Sequence, residues 1–279
     1  NMQLAVARKL VFSKWRAALG GNVRCVSSGS AALQPRLARV FNAAGIPLME
    51  GYGPTETSPV VSVNDARNDG LRFGYVGRPL KDVQVRIADD GEILVKGPNV
   101  MMGYYLEPEL TRDVLDPDGW FHTGDIGEVS ADGFLRITDR KKEIFKTSGG
   151  KYVAPQVIEN KLKASRFVEQ AMVIGENRKF PAALIVPNFN FLKDYCALKE
   201  IPFTDRQQVI GDKRILDRLM KEVETANLGL GHWEQVKKII LLPQEFSIET
   251  GELTPTLKLR RKPILVRYAS LVDALYEDC

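Results

Sequence analysis

Between residues 23 and 57 short apolar runs alternate with loops of small residues, and this alternation constrains the fold more than any other feature. Val23-Arg24-Cys25-Val26 reads as a strand and gives way to the turn Ser27-Ser28-Gly29-Ser30-Ala31-Ala32. A helical pattern follows from Leu33 to Ala44, and Ile46-Pro47-Leu48-Met49 then leads into Glu50-Gly51-Tyr52-Gly53-Pro54-Thr55-Glu56-Thr57. Strand, loop and helix in that order are the grammar of a parallel α/β sheet, in which the loops after the strands carry ligands. Upstream, Leu4, Ala7, Val11, Trp15 and Ala18 stand at helical spacing before a Gly20-Gly21 stop. The spacing predicts a helix over residues 2–19, with Val11 and Trp15 on a stripe expected to pack against the sheet.

From about residue 72 the texture changes to short strands punctuated by Gly, Pro and Asp, over residues 83–87, 92–96, 127–129 and 134–138. That pattern predicts a small antiparallel β unit. The charge-dense run Asp139-Arg140-Lys141-Lys142-Glu143 reads as a domain boundary, dividing 1–139 from 140–279. Beyond it, helices are expected over 154–165 and 215–226 and strands over 170–174, 182–186 and 238–242, a compact α+β domain.

Composition excludes several classes. With 44% hydrophobic and 27% charged residues the chain is globular, not fibrous or disordered. Its 39 basic and 35 acidic residues leave a net charge of +4 with no long block of either sign, so nucleic acid is not an expected partner. Cys25, Cys196 and Cys279 are odd in number and far apart, which favours reduced thiols in a cytoplasmic setting. Two histidines, His122 and His232, argue against a His-rich metal site. Arg8, Lys9, Lys14 and Arg16 interrupt the most apolar stretch near the start, which is therefore not a membrane span, and no signal-peptide pattern is seen. The chain opens on Asn1 rather than methionine, as expected of a sequence that starts inside a longer protein.

The loop Tyr52-Gly53-Pro54-Thr55-Glu56 combines an aromatic face that can stack on a base, a glycine that lets the backbone approach a ligand, a hydroxyl and a hard carboxylate suited to Mg²⁺. Gly-Tyr-Gly-Pro-Thr-Glu-Thr resembles the signature loop of the adenylate-forming superfamily of acyl-CoA synthetases, luciferases and peptide-synthetase adenylation domains. Further segments follow in that family's order. Gly91-Glu92-Ile93 with Gly97, Met102-Gly103-Tyr104-Tyr105 and Thr111 resembles the next signature, and Trp120-Phe121-His122-Thr123-Gly124-Asp125 the segment whose aspartate holds the ribose. Asp139-Arg140-Lys141-Lys142 is similar to the hinge, Thr147-Ser148-Gly149-Gly150-Lys151 to the start of the segment after it, and Leu253-Thr254-Pro255-Thr256-Leu257-Lys258 to the C-terminal motif with the catalytic lysine.

The resemblance implies a two-step reaction: a carboxylate attacks the α-phosphorus of ATP, releasing pyrophosphate, and the thiol of coenzyme A then displaces AMP. It implies Lys258, Thr55 and Glu56 as catalytic residues, with Glu56 also the Mg²⁺ ligand. It assigns nucleotide contacts to Gly29, Ser30, Ala31, Gly51, Tyr52, Gly53, Asp125, Ile137 and Arg140, and coenzyme A contacts to Lys146, Ser148, Gly149, Gly150 and Lys151. Lys142 falls at the hinge about which the C-terminal domain rotates between steps. Taken alone, Lys146 and Lys151 also read as ordinary exposed charges, and Lys258 as part of a basic tail with Arg260, Arg261 and Lys262. The tryptophans Trp15, Trp120 and Trp233 read as core or edge packing rather than ligand stackers.

Asn227-Leu228, Trp233-Glu234-Gln235-Val236-Lys237, Phe246 and Glu252-Leu253-Thr254-Pro255-Thr256, with the lengthened segment 188–231, resemble the long-chain fatty acyl-CoA synthetase branch. The implied substrates are a fatty acid, ATP and coenzyme A. The family's Gly/Ser/Thr-rich phosphate loop ending in Pro-Lys-Gly is absent from the 279 residues. The expectation is therefore a C-terminal portion of a synthetase: the trailing part of the large α/β domain with its small β unit, followed by a mobile α+β domain, inactive alone. Three alternatives stay open: a non-catalytic nucleotide- or coenzyme-A-binding remnant, a synthetase for another carboxylic acid, and peripheral membrane contact through the basic helix at residues 2–19.

Overall fold

The computed structural model describes residues 2–67 and 69–277, so Cys279 lies outside the described residues. The chain forms two compact units, Asn1–Lys141 and Lys142–Cys279.

The first unit opens with a helical rod: α1 (Met2–Ala7), one wide π-turn (Arg8–Phe12) and α2 (Ser13–Ala18). Gly20 and Gly21, at φ 83° and 77°, end it, and Gly21 N–H donates to Arg16 O at 2.8 Å. Its stripe does not pack on the sheet as the sequence predicts. Val11 and Trp15 are 43% and 39% exposed, and the rod instead meets helix α3 (Pro35–Ala43) through Trp15–Phe41 ring contact and an Arg16 bond to Ala44 O. Periodicity identifies which face of a helix is apolar, but not whether another element covers it.

Strands β1 (Val26–Ser28) and β2 (Leu48–Tyr52) flank α3 and run parallel, Val26 opposite Leu48 and Ser28 opposite Glu50. The expected strand–helix–strand is present, but β1 starts three residues later than the apolar run does. Pro47 stands just before the first pairing position of β2 and has no N–H to give the ladder. Two short antiparallel strands, β3 (Ser62–Val63) and β4 (Arg78–Pro79), extend this sheet.

The second sheet is an antiparallel meander of β5 (Gln84–Ile87), β6 (Glu92–Lys96), β7 (Phe121–Val129) and β8 (Leu135–Arg140), with α4 (Pro108–Val114) between β6 and β7. Val61, Val76, Ile93, Val95 and Leu135 form its buried core, with Tyr52 and Ile137 packed against them. Strand β7 begins six residues before the predicted one, because its polar stretch His122-Thr123-Gly124-Asp125 lacks apolar alternation and is paired across irregular register shifts. Helix α4 was not legible in the sequence.

The second unit starts with the hairpin β9 (Phe145–Lys146) and β10 (Tyr152–Val153), then α5 (Pro155–Lys163). Its sheet holds β11 (Val168–Ile174) antiparallel to β12 (Ala182–Pro187). Helices α6 (Phe189–Leu198), α7 (Arg206–Ile210) and α8 (Lys213–Asn227) precede β13 (Lys238–Leu241), which joins β12 in parallel. Helices α9 (Arg261–Arg267) and α10 (Ala269–Glu277) close the chain. Every residue of the central β12 is buried, which is why its sequence reads as an unbroken apolar run. Ile158 and Leu162 of α5 and Ile215, Leu219 and Val223 of α8, spaced four apart, fill the same core.

None of the tryptophans belongs to the core. Trp15 and Trp233 are exposed, while Trp120 is half-buried under the Arg86 guanidinium. Among the described residues no helix is long and apolar enough to cross a membrane.

Candidate functional site

The two parallel strands deliver their loops to one edge of the first sheet, and a Cβ built on Gly29 would stand 3.6 Å from Gly51 O. Gly29, Ser30 and Ala31 are exposed, and Ser30 adopts φ 66°, so this turn presents backbone rather than side chains. It is tied down by Glu50, which sequence reasoning passed over. The buried Glu50 carboxylate accepts the Leu33 N–H at 2.8 Å. Burial pushes its pKa up to about 7, against the opposing pull of that hydrogen bond.

Gly53 is required for a different reason from the one the sequence suggests. A Cβ there would lie 2.0 Å from Pro59 O and 2.8 Å from Val61 N, so the chain's own backbone, not a ligand, fills the space.

Tyr52, Asp125 and Arg140 come together. Tyr52 Oη donates to Asp125 Oδ2 at 2.6 Å, and Arg140 Nε lies 3.2 Å from Asp125 Oδ1. Burial, and then the Asp125 charge, raises the Tyr52 pKa well above the usual phenol range, so Tyr52 stays a donor. Asp125 is itself buried, and each carboxylate oxygen keeps a lone pair for a further donor such as a vicinal diol. Ile137 is half-buried in the same apolar cluster as Tyr52.

The expected metal ligand Glu56 sits in a 3₁₀ turn (Thr55–Thr57), with Oε1 accepting from Tyr104 Oη at 2.8 Å. Among the described residues no three His, Cys, Asp or Glu side chains converge as a metal cage. One carboxylate suits an ion that takes its remaining ligands from phosphate and water, as Mg²⁺ does. Thr55 is exposed beside it. Tyr104 is held in turn by Thr111, whose Oγ1 accepts the Tyr104 N–H at 2.9 Å.

In the second unit Lys142 lies in an exposed turn. The hairpin β9–β10 carries the glycine loop, closed by Thr147 N–H to Lys151 O at 3.0 Å and Gly150 N–H to Thr147 O at 2.9 Å. Ser148, Gly149 and Gly150 are exposed, with open space beside Gly150. Lys146 lies over the Tyr152 ring at 5.0 Å and Lys151 over the Trp233 ring at 5.4 Å, so neither is a plain solvated charge.

Lys258 stands in a tight turn whose neck is a Leu253–Leu259 bridge. Thr254 N–H donates to Lys258 O at 2.8 Å, Lys258 N–H returns a bond to Thr254 Oγ1 at 3.0 Å, and Leu257 takes the left-handed φ of 61°. The side chain of Lys258 is exposed and makes no ion pair among the described residues. The basic run after it is not a solvated tail. Arg261 is largely buried, donating from Nη2 to Glu159 Oε1 at 2.5 Å and from Nη1 to Val173 O at 2.9 Å, which pins the start of α9 to α5 and β11. Partners 88 to 118 residues away, Val173, Glu159 and Glu143, distinguish Arg261 from its exposed neighbour Arg260, and local sequence does not show them.

Comparison with known proteins was consistent across both units. Residues 2–105 match the family model of the AMP-binding enzymes and residues 142–279 that of the AMP-binding enzyme C-terminal domain. The chain is 42% identical over 276 residues to the long-chain-fatty-acid–CoA ligase FadD15 of Mycobacterium bovis, covering 98% of this chain and 45% of that protein. It is 39% identical over 286 residues to the long-chain-fatty-acid–CoA ligase 5 of Rattus norvegicus, covering 97% and 41%. The chain thus spans less than half the length of these relatives. Its fold superposes with a TM-score of 0.72 and 28% identity on the adenylation domain of a carboxylic acid reductase from Segniliparus rugosus, solved with AMP and a co-purified carboxylic acid, over 93% of this chain and 40% of that one.

Proposed function

The chain belongs to the AMP-binding enzyme family, and on that premise we propose that it serves a long-chain fatty acid–CoA ligase, contributing the nucleotide-holding edge, the coenzyme A loop and the adenylating lysine. The observation that carries this reading is the Tyr52–Asp125–Arg140 cluster beside the Gly29 and Gly53 loops. It offers a buried carboxylate to the ribose hydroxyls and an aromatic face to the base, the two parts of AMP that do not react.

In the first half-reaction the fatty acid carboxylate oxygen bonds to the α-phosphorus and pyrophosphate leaves, with negative charge gathering on the phosphoryl oxygens. Lys258 brings its ammonium to that charge, and Arg140 stands next to Asp125, the carboxylate that holds the ribose. Glu56 would hold Mg²⁺, which would supply charge neutralisation to the phosphates. In the second half-reaction the coenzyme A thiol attacks the acyl carbon and AMP leaves. Ser148, Gly149 and Gly150 leave backbone room for the pantetheine arm, while Lys146 and Lys151 meet phosphate charge. Lys142 is the hinge between 1–139 and 140–279 in this reading.

The test has two arms. Calorimetric titration of the 279-residue chain with AMP should give heat in the millimolar range, and none there would count against preformed nucleotide contacts. In the intact enzyme Lys258→Ala should abolish ATP–pyrophosphate exchange while acyl-adenylate still reacts with coenzyme A. Clear preference for hexanoate or benzoate over palmitate would reject the long-chain assignment.

The exposed stripe of the first helix favours a second reading, contact with a membrane surface through Val11 and Trp15. Vesicle sedimentation that leaves all protein in the supernatant would remove it.

A further inference from the structure

Asp125 follows a glycine whose geometry is unusual for a strand. Gly124 sits at φ 70° inside β7, and nothing lies within 4 Å of where its side chain would be. Packing therefore does not hold this peptide; hydrogen bonds do. Gly124 N–H donates to Glu92 Oε1 at 2.9 Å, and Gly124 O accepts the Lys141 N–H at 2.8 Å. Lys141 Nζ closes the ring, 2.8 Å from Glu92 Oε2 and 2.6 Å from Asp90 Oδ2. The next residue on β6 adds a second grip: Ile93 O accepts from Thr123 Oγ1 at 2.7 Å, and that oxygen accepts the Asp125 N–H at 3.1 Å.

We propose that Glu92 is a positioning residue for Asp125, fixing the Gly124 peptide so that the carboxylate of Asp125 meets both ribose hydroxyls while it still holds Tyr52 and Arg140. The inference rests on the reading of Asp125 as the ribose holder. A left-handed glycine in open space has the widest conformational freedom of any residue, so without an acceptor on its N–H it swings the carboxylate that follows. Glu92 is suited to that task because its carboxylate is buried and ionised. Burial pushes its pKa up, but Lys141, His122 and the Gly124 N–H outweigh this and hold it below the usual carboxylate range. His122 Nδ1, 3.1 Å from Oε2, faces the same oxygen as Lys141.

The experiment compares AMP with 2′,3′-dideoxy-AMP, titrated into the 279-residue chain, and reads the ratio of the two affinities. In Glu92→Gln the ratio should fall about tenfold, the factor of one charge-assisted hydrogen bond, with dideoxy-AMP affinity unchanged. Lys141→Ala, at a half-exposed side chain, should lower the ratio in the same direction and decides the matter if Glu92→Gln does not fold. A ratio preserved in the folded variants, or an equal loss for both nucleotides, overturns the proposal and leaves the proposed function standing. A native chain that binds the two nucleotides equally overturns the ribose role of Asp125, and the proposal with it.

Discussion

Replacing Arg261 by alanine should destabilise the second unit in a manner that depends on pH. Glu159 is 3% exposed and accepts two bonds on Oε1, from Arg261 and from the Val173 N–H at 2.8 Å. Removing the guanidinium leaves a buried carboxylate without its hydrogen-bonded counter-charge, with only the longer-range pull of Lys163 beside it, a loss worth about 3–5 kcal/mol when Glu159 is ionised. Burial already holds the Glu159 pKa above its ordinary value, with Arg261 pulling it back. A carboxyl raised on folding contributes fully below its unfolded pKa, and that contribution is lost as pH rises through the folded value. Arg261→Ala raises the folded value further, so its penalty should stay level while Glu159 is protonated in both proteins and grow as pH rises through the wild-type folded value. Urea unfolding at about pH 4.5 and 7.5 measures this, with Trp15→Phe and Trp120→Phe in place so that Trp233 reports on the second unit alone. The double variant Glu159→Leu/Arg261→Met should recover most of the loss, because a packed apolar pair needs no counter-charge. A penalty that shrinks from the lower to the higher pH, or a loss under about 1 kcal/mol at the higher one, would refute the reasoning.

Two other perturbations follow from geometry in the first unit. Glu50, with its pKa near 7, contributes stability below its ordinary value of 4.5 and loses it as pH rises through 7, an effect of up to about 3 kcal/mol. Glu50→Gln should flatten that slope, and parallel pH profiles of unfolding free energy for the two proteins would contradict it. Gly53→Ala forces a methyl to within 2.0 Å of Pro59 O and should cost more than about 2 kcal/mol, whereas Gly149→Ala, whose nearest neighbour is 3.9 Å away, should change stability by less than about 0.5 kcal/mol. Thermal unfolding of the pair checks this, and similar midpoints would argue against the Pro59 contact.

Much of the architecture was legible where one face or both faces of an element are buried. The unbroken apolar run of β12 and the four-residue spacing of Ile215, Leu219 and Val223 in α8 each name their own element. Tyr52, Asp125 and Arg140 lie in three separate motifs along the chain, and the structure joins them. What escaped were features fixed by a distant partner. Glu92 is buried and Arg261 largely so, each with a counter-charge, Lys141 and Glu159, that stands 49 and 102 positions away and that local reading does not show. The stripe through Val11 and Trp15 shows the converse: an apolar pattern with no covering element along most of its length. Strand β7 was missed at its start because the polar stretch His122-Thr123-Gly124-Asp125 replaces the alternation by which strands are recognised.

The turn that bears Lys258 is anchored at its neck by the Leu253–Leu259 bridge, and residues 255–258 at its tip are exposed within the second unit. An ammonium in that situation is fully hydrated, so an approaching phosphate displaces water alone and no ion pair has to open first. Its pull reaches about 8 Å at physiological ionic strength and shortens as salt is added. If Lys258 meets the triphosphate as proposed, salt should slow that capture more than it disturbs the largely buried Arg261–Glu159 pair.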